Sequence, residues 1–173
     1  MPFPPSPVPG AADRWPEAPW ATPAWVSHAQ ILLDSFARLL GRELVPREGD
    51  ALLQARRVCE AARVVVSHGT QADPILNYGN RLALSLWEMD ADAFVQTPSR
   101  LTAEPLHREA RAALLERTRR DGYVDDYSGI RISRTGRRFR IEQAIVWNLT
   151  DASGIHRGQA ATFDHWIPLA AGS

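Results

Sequence analysis

The sequence predicts an α+β domain: one antiparallel sheet with short helices packed on one face, preceded by two N-terminal helices. Three observations carry this. Residues from Asp121 to Trp166 read as three consecutive strands, separated by the turn sequences Arg134-Thr135-Gly136 and Asp151-Ala152-Ser153-Gly154. The middle strand, Arg137 to Thr150, alternates. Phe139, Ile141, Gln143, Ile145, Trp147 and Leu149 form one nearly apolar face, against a wetter face of Arg138, Arg140, Glu142, Ala144 and Asn148. Upstream, the apolar period changes from two to the three- and four-residue steps of amphipathic helices, so helices and strands are segregated along the chain.

Taken in order, residues 1–22 hold most of the thirteen prolines and no helical or strand periodicity, which predicts an extended arm. Trp15, Trp20 and Trp25 interrupt it. They lie against the chain's own domain or mark a partner-docking segment. Thr22-Pro23 is a helix start, with threonine as N-cap and proline at the first position, and Gly41 is its stop. Between them Ala29, Leu32, Leu33, Phe36, Leu39 and Leu40 form an apolar stripe. A second helix is predicted from Asp50 to about Ala62. Val64-Val65-Val66 starts a β segment that Ser67-His68-Gly69-Thr70 interrupts, and Pro74 to Tyr78 makes another. Asn80 is positioned as the N-cap of a compact helix with Leu82, Leu84, Leu86 and Trp87. A loop through Pro98-Ser99-Arg100 leads to a longer helix in which Leu106, Ala110, Ala113 and Leu114 share a face, ended by Asp121-Gly122. The strands Tyr123–Ser133, Arg137–Thr150 and Ile155–Trp166 follow. The implied organisation is an arm over 1–22, a helical extension over 23–66 and a core over 67–167.

Composition excludes several function classes. The formal charge is zero and the mix of 45% hydrophobic and 23% charged residues is that of an ordinary globular domain, so no global attraction to nucleic acid or membrane is expected. All twenty basic residues are arginine. Eleven of them lie between residues 100 and 140 against six acidic residues, an excess that a solvated helix face and a basic hairpin tip account for, so nucleic acid is disfavoured as a partner. One cysteine, Cys59, rules out an internal disulfide and multi-cysteine metal sites within one chain. No apolar run reaches the ~18 to 20 residues a membrane span needs, and the N-terminus has neither a basic start nor an apolar core. A cytoplasmic location without membrane association is the expectation.

The segments Ser67-His68-Gly69-Thr70-Gln71-Ala72-Asp73-Pro74, Asn77-Tyr78-Gly79-Asn80, Thr97-Pro98-Ser99-Arg100, Asp121-Gly122-Tyr123, Gly129-Ile130-Arg131-Ile132-Ser133, Gly136-Arg137-Arg138-Phe139, Val146-Trp147-Asn148 and Gly158-Gln159-Ala160-Ala161-Thr162-Phe163 stand in an order that resembles the MEKHLA domain family, in particular its bacterial stand-alone members. The resemblance spans about residues 25 to 167. It implies a PAS-like fold and a regulatory role, since MEKHLA domains also close plant class III homeodomain-leucine zipper factors, where they are thought to sense and to regulate dimerisation. The Met-Glu-Lys-His-Leu-Ala peptide that names the family is absent here, as are a homeodomain and a zipper, so DNA binding does not carry over.

On a PAS-like sheet a small molecule would sit between the concave face and the helices, and the residues placed there are Asn77, Tyr127, Arg131, Gln143, Trp147 and Ala160. Gln143 interrupts an apolar face and a buried amide needs partners. Arg131 suits a carboxylate or phosphate through bidentate hydrogen bonds. Each has a structural alternative. Gln143 is satisfied within the protein, Arg131 points to water between Ile130 and Ile132, Asn77 is a turn residue, and Gly158, Ala160 and Ala161 are small to make room for Trp147.

No catalytic arrangement is recognisable. His68, His156 and His165 have no triad or metal-ligand spacing, and Asp125-Asp126 point to opposite faces of a strand. His107 lies near the helix that carries the axial haem ligand in some PAS sensors, with an exposed histidine as the competing reading. Cys59 precedes the sheet and so lies outside the position that flavin-adduct photochemistry requires, while a noncovalent flavin stays open. The residues name no cofactor and no metal.

The expected function is a sensory or regulatory module, not an enzyme. It binds a small molecule or responds to redox state, and signals through a partner or a second copy that contacts the N-terminal helices or the sheet. The alternatives are a ligand-free dimerisation scaffold and, third, an enzyme using the same pocket.

Overall fold

The computed structural model describes residues 17–104 and 107–170. Helices α1 (Pro23–Leu40) and α2 (Ala51–Cys59) precede strands β1 (Val64–His68) and β2 (Leu76–Gly79). The short helices α3 (Arg81–Trp87) and α4 (Ala91–Phe94), a 3-10 turn over Ser99–Thr102 and the longer α5 (Arg108–Asp121) then lead to β3 (Tyr123–Ile132), β4 (Arg138–Thr150), β5 (His156–Phe163) and β6 (His165–Pro168). The strands form one antiparallel sheet in the order β2-β1-β5-β4-β3, with β6 paired to β4.

Local chemistry sets the helix starts as the sequence predicts, while α2 ends at Cys59 rather than near Ala62. The Thr22 hydroxyl accepts from the Trp25 amide, and Gly41 closes α1 in the left-handed region at φ 69°. Asp50 caps α2 by accepting from the Leu53 amide. Asn80 does more than cap α3. Its Oδ1 accepts from the Ala83 and Val65 amides at 3.1 Å each, and its Nδ2 donates to the Val58 and Arg63 carbonyls at 3.1 and 2.7 Å. One fully buried amide thus joins the end of α2, the start of β1 and α3.

Both sheet faces are covered. On one, α1 lays Leu32, Leu33 and Phe36 on Trp147 and Leu149, with the Phe36 and Trp147 rings edge-to-face at 5.0 Å. Trp20 joins this core and its Nε1 donates to the Gly79 carbonyl at 2.9 Å, so the last part of the expected arm is docked; Trp15 lies outside the described residues. On the other face the short helices cover Phe139, Ile141, Ala144 and Phe163 with Trp87 and Phe94.

A single residue reconciles the two cores. Gln143 has φ 51° inside β4, and the residues across β4 from it are irregular in register, with Tyr127 opposite Ala144 and Gly129 opposite Ile141. This bulge reverses the alternation. Phe139 and Ile141 face the short helices, but Ile145, Trp147 and Leu149 face α1, and Ala144 and Val146 take over the first side. The single apolar face expected over 139–149 is therefore corrected to two half-faces, with Gln143 exposed at the switch. The expected third strand likewise divides at Asp164. β5 pairs with the C-terminal half of β4, and β6 with its N-terminal half.

Two further expectations change. The buried residues of α5 are Arg111, Leu114 and Thr118, whereas Ala110 and Ala113 are exposed and Leu106 lies outside the described residues. The boundary expected between residues 66 and 67 falls inside β1, which starts at Val64 and is a central strand.

Candidate functional site

Between the sheet and the α3–α5 side lies a cavity that admits the centre of a water-sized sphere over about 70 Å³ and opens to solvent. Its walls are apolar: Val66 and Leu76 from β1 and β2, Phe94 from α4, and Ile141, Val146 and Phe163 from the central strands. Into these walls are set His68, Ser99, Arg111, Tyr127, Arg131 and Gln159. An apolar cleft with a few converging polar groups is the usual form of a small-molecule site.

The two arginines come from different elements. Arg111 turns inward from α5 at 7% exposure and its Nη2 donates to the Ser99 hydroxyl of the 3-10 turn. Burial, then the nearby Arg131 guanidinium, lower its pKa to about 10, so it is still a cation at neutral pH. Arg131, at 8% exposure on β3, donates from Nη1 to the Ile130 carbonyl at 3.0 Å and lies over the Tyr127 ring at 5.3 Å. Gly129 makes that stack feasible, because a Cβ there would collide with the Tyr127 hydroxyl.

His68 ends β1. Its Nδ1 pairs with the Gly69 carbonyl at 3.0 Å, which makes Nδ1 the protonated nitrogen; Nε2 is a buried acceptor that, among the described residues, forms no hydrogen bond of normal geometry, with the Gln159 side chain as its polar neighbour. Burial lowers its pKa, and the field of Arg111 acts in the same direction. Gln159, opposite His68 on β5, donates to the Leu115 carbonyl at 2.8 Å and to Asn148 Oδ1 at 3.1 Å, tying α5 to the sheet. Gly158 beside it is at φ 127°, where a Cβ would overlap the His68 carbonyl, so β1 and β5 meet there only through glycine.

Of the residues placed around a pocket from sequence, Tyr127, Arg131 and Ala160 border this cavity and the other three do not. Trp147 is on the α1 face, opposite Ala160 in register, so Ala160 also makes room for the ring. Gln143 is exposed at the bulge. Asn77 accepts from the Ser67 hydroxyl at 2.5 Å, and that hydroxyl also meets His28 Nε2 of α1 at 2.8 Å. Arg131 is turned away from water, against the solvent-facing alternative.

Arg111, Ser99, Gln159 and His68 stand at the cavity without being among the residues that the sequence places there, although Ser99, Gln159 and His68 lie in segments that carry the family resemblance. Arg111 gave no signal, because an arginine on a charge-rich helix looks like its neighbours. His107 sits outside the cavity, 3.9 Å from the Glu104 carboxylate. Cys59 is buried in the α1-side core, its thiol pushed up to about 12 chiefly by burial. Among the described residues there is no cluster of three or more His, Cys, Asp or Glu side chains placed to hold a metal, and no helix is long and apolar enough to cross a membrane.

The strand order, with helices inserted between the second and third strands, is a PAS-like fold. A PAS domain of a protein from Colwellia psychrerythraea is similar at TM-score 0.56 and 14% identity, over 69% of this chain and 98% of that one. A PAS domain from a two-component sensor histidine kinase is similar at TM-score 0.51 and 14% identity, over 66% and 91%. The chain belongs to the MEKHLA domain family, which matches residues 26–168. It is 26% identical over 142 residues to the homeobox-leucine zipper protein ATHB-9 of Arabidopsis thaliana, covering 82% of this chain but only 17% of that relative's length.

Proposed function

We propose that this MEKHLA domain is a sensory or regulatory module in which a small molecule occupies the cavity and alters contacts with a partner or a second copy of the chain. The observation that carries this reading is a cavity bounded by the sheet, α4, the 3-10 turn and α5, with a buried His68 nitrogen that forms no hydrogen bond of normal geometry among the described residues. A ligand there touches the sheet, α4, the 3-10 turn and α5 at once, so it favours one arrangement of them over another. Ser67 offers an outlet. It borders the cavity, and its hydroxyl bonds Asn77 and His28 on the α1 side, so a shift of β1 is felt by the N-terminal helix.

The test is a thermal-shift screen of metabolites on the purified chain, preceded by an absorption spectrum and mass spectrometry of what denaturation releases. A stabilising or co-purified compound that changes the oligomeric state or partner binding is the expected result. Its effect should vanish in Ala161→Leu, which fills the cavity. If no compound stabilises the chain and its assembly never changes, the domain is a constitutive scaffold and the proposal fails.

A further inference from the structure

Resting on the small-molecule reading of the cavity, we infer that the ligand is a small organic oxyanion on an apolar body, with its anionic group held by Arg111 and Arg131. The two guanidiniums offer five N–H donors each. Among the described residues each spends one hydrogen bond, on Ser99 and on Ile130, and neither forms an ion pair with a carboxylate. Asp73, whose field reaches Arg111, is exposed and paired with Arg100 at 3.2 Å. Elsewhere the protein handles the same problem differently. Arg138, also largely buried, is ion-paired with Glu104.

Two neighbouring cations more than nine-tenths buried, without a counter-charge of their own, are costly to fold around. A planar or tetrahedral oxyanion removes that cost and uses the forked donors. The apolar walls of Val66, Ile141, Val146 and Phe163 then require the rest of the ligand to be hydrocarbon. His68 adds a further selection. Its Nε2 lone pair repels an anion and accepts from a hydroxyl or N–H, so a hydroxylated acid uses the site more completely than the plain acid.

The experiment measures thermal shift and calorimetric binding with benzoate, 4-hydroxybenzoate, 3-phenylpropionate and hexanoate, the amide of each, phenyl phosphate and inorganic phosphate. An acid or phenyl phosphate should bind, its neutral counterpart should not, and Arg111→Met and Arg131→Met should each weaken binding about tenfold or more. Without ligand, Arg111→Met should melt at or above the wild-type midpoint, because an unpaired buried charge has been removed. Carboxylates and phenyl phosphate in parallel identify the type of oxyanion. Amides that bind as well as acids, or acids that bind both arginine variants normally, overturn the inference while leaving a small-molecule module. Binding of inorganic phosphate alone overturns the apolar body. An Arg111→Met chain that melts lower than wild type shows the arginine to be structural. No binding by any compound, here or in the metabolite screen, defeats the small-molecule reading as well.

Discussion

Replacing Asn80 separates a helix cap from a structural junction. If the side chain served α3 alone, aspartate would substitute well, since it caps as effectively as asparagine. The four bonds say otherwise. Oδ1 holds the Ala83 and Val65 amides, but Nδ2 donates to two carbonyls in a fully buried position. Asn80→Ala removes a cap worth about 1 kcal/mol and strands buried groups at about 1–3 kcal/mol for each that water cannot reach, so a loss of about 3–5 kcal/mol is expected. At this chain length that lowers the melting midpoint by on the order of 10 °C. Asn80→Asp should be at least as damaging, because it turns a charged oxygen toward the Val58 and Arg63 carbonyls. The buried carboxyl would have a raised pKa, so the folded state holds its proton where the unfolded chain has released it; stability therefore falls as pH rises above about 4 and recovers in acid. Urea titrations followed by tryptophan fluorescence, from pH 4 to 8, measure both effects. An Asn80→Asp chain within ~0.5 kcal/mol of wild type at pH 7 would show that the Nδ2 bonds contribute nothing, and the junction argument would be wrong.

His28 is half-buried against Tyr78 and Ser67, and desolvation lowers its pKa to about 4. Because the unfolded chain takes up this proton near pH 6.5 and the folded one does not, stability is intact above that pH and declines between about 6.5 and 4, by up to about 3 kcal/mol; His28→Gln should flatten this part of the urea-midpoint profile. Gln143→Gly should stabilise by about 0.5–1 kcal/mol, since only glycine holds φ 51° without strain, and Gln143→Val should destabilise, both leaving ligand binding unchanged. Equilibrium denaturation checks the pair, and loss of binding in the glycine variant would return Gln143 to the site. Cys59, with its thiol near 12 and no exposure, should react with a disulfide reagent only as fast as the chain opens. Labelling at a rate independent of added urea would contradict that burial.

Much of the fold is legible because its signals are local. Thr22-Pro23, Gly41, Asp50 and the capping bond of Asn80 engage backbone groups within three or four residues, so composition at those positions suffices to place the helices. The turns around Gly136 and Gly154 need positive φ, and glycine announces it. Burial direction is less local. The rule of alternation holds along β4 until the bulge at Gln143, and nothing near Gln143 marks it, since glutamine has no preference for the left-handed region. One extra residue then sends Trp147 to the α1 side and Val146 to the cavity.

Sequence alone therefore determined the α+β class, the family and the element order apart from α4, the 3-10 turn and the division of the last strand into β5 and β6, all of which depend on neighbours along the chain or on a pattern spread across it. Tertiary structure decided which side chains meet. The inward turn of Arg111 depends on Ser99, twelve residues away, and the exposure of Gln143 on a register set by other strands. Arg131 shows the division most simply. Its place in an alternating strand is compatible with either face, and only the packing of α5 over the sheet makes that face the interior.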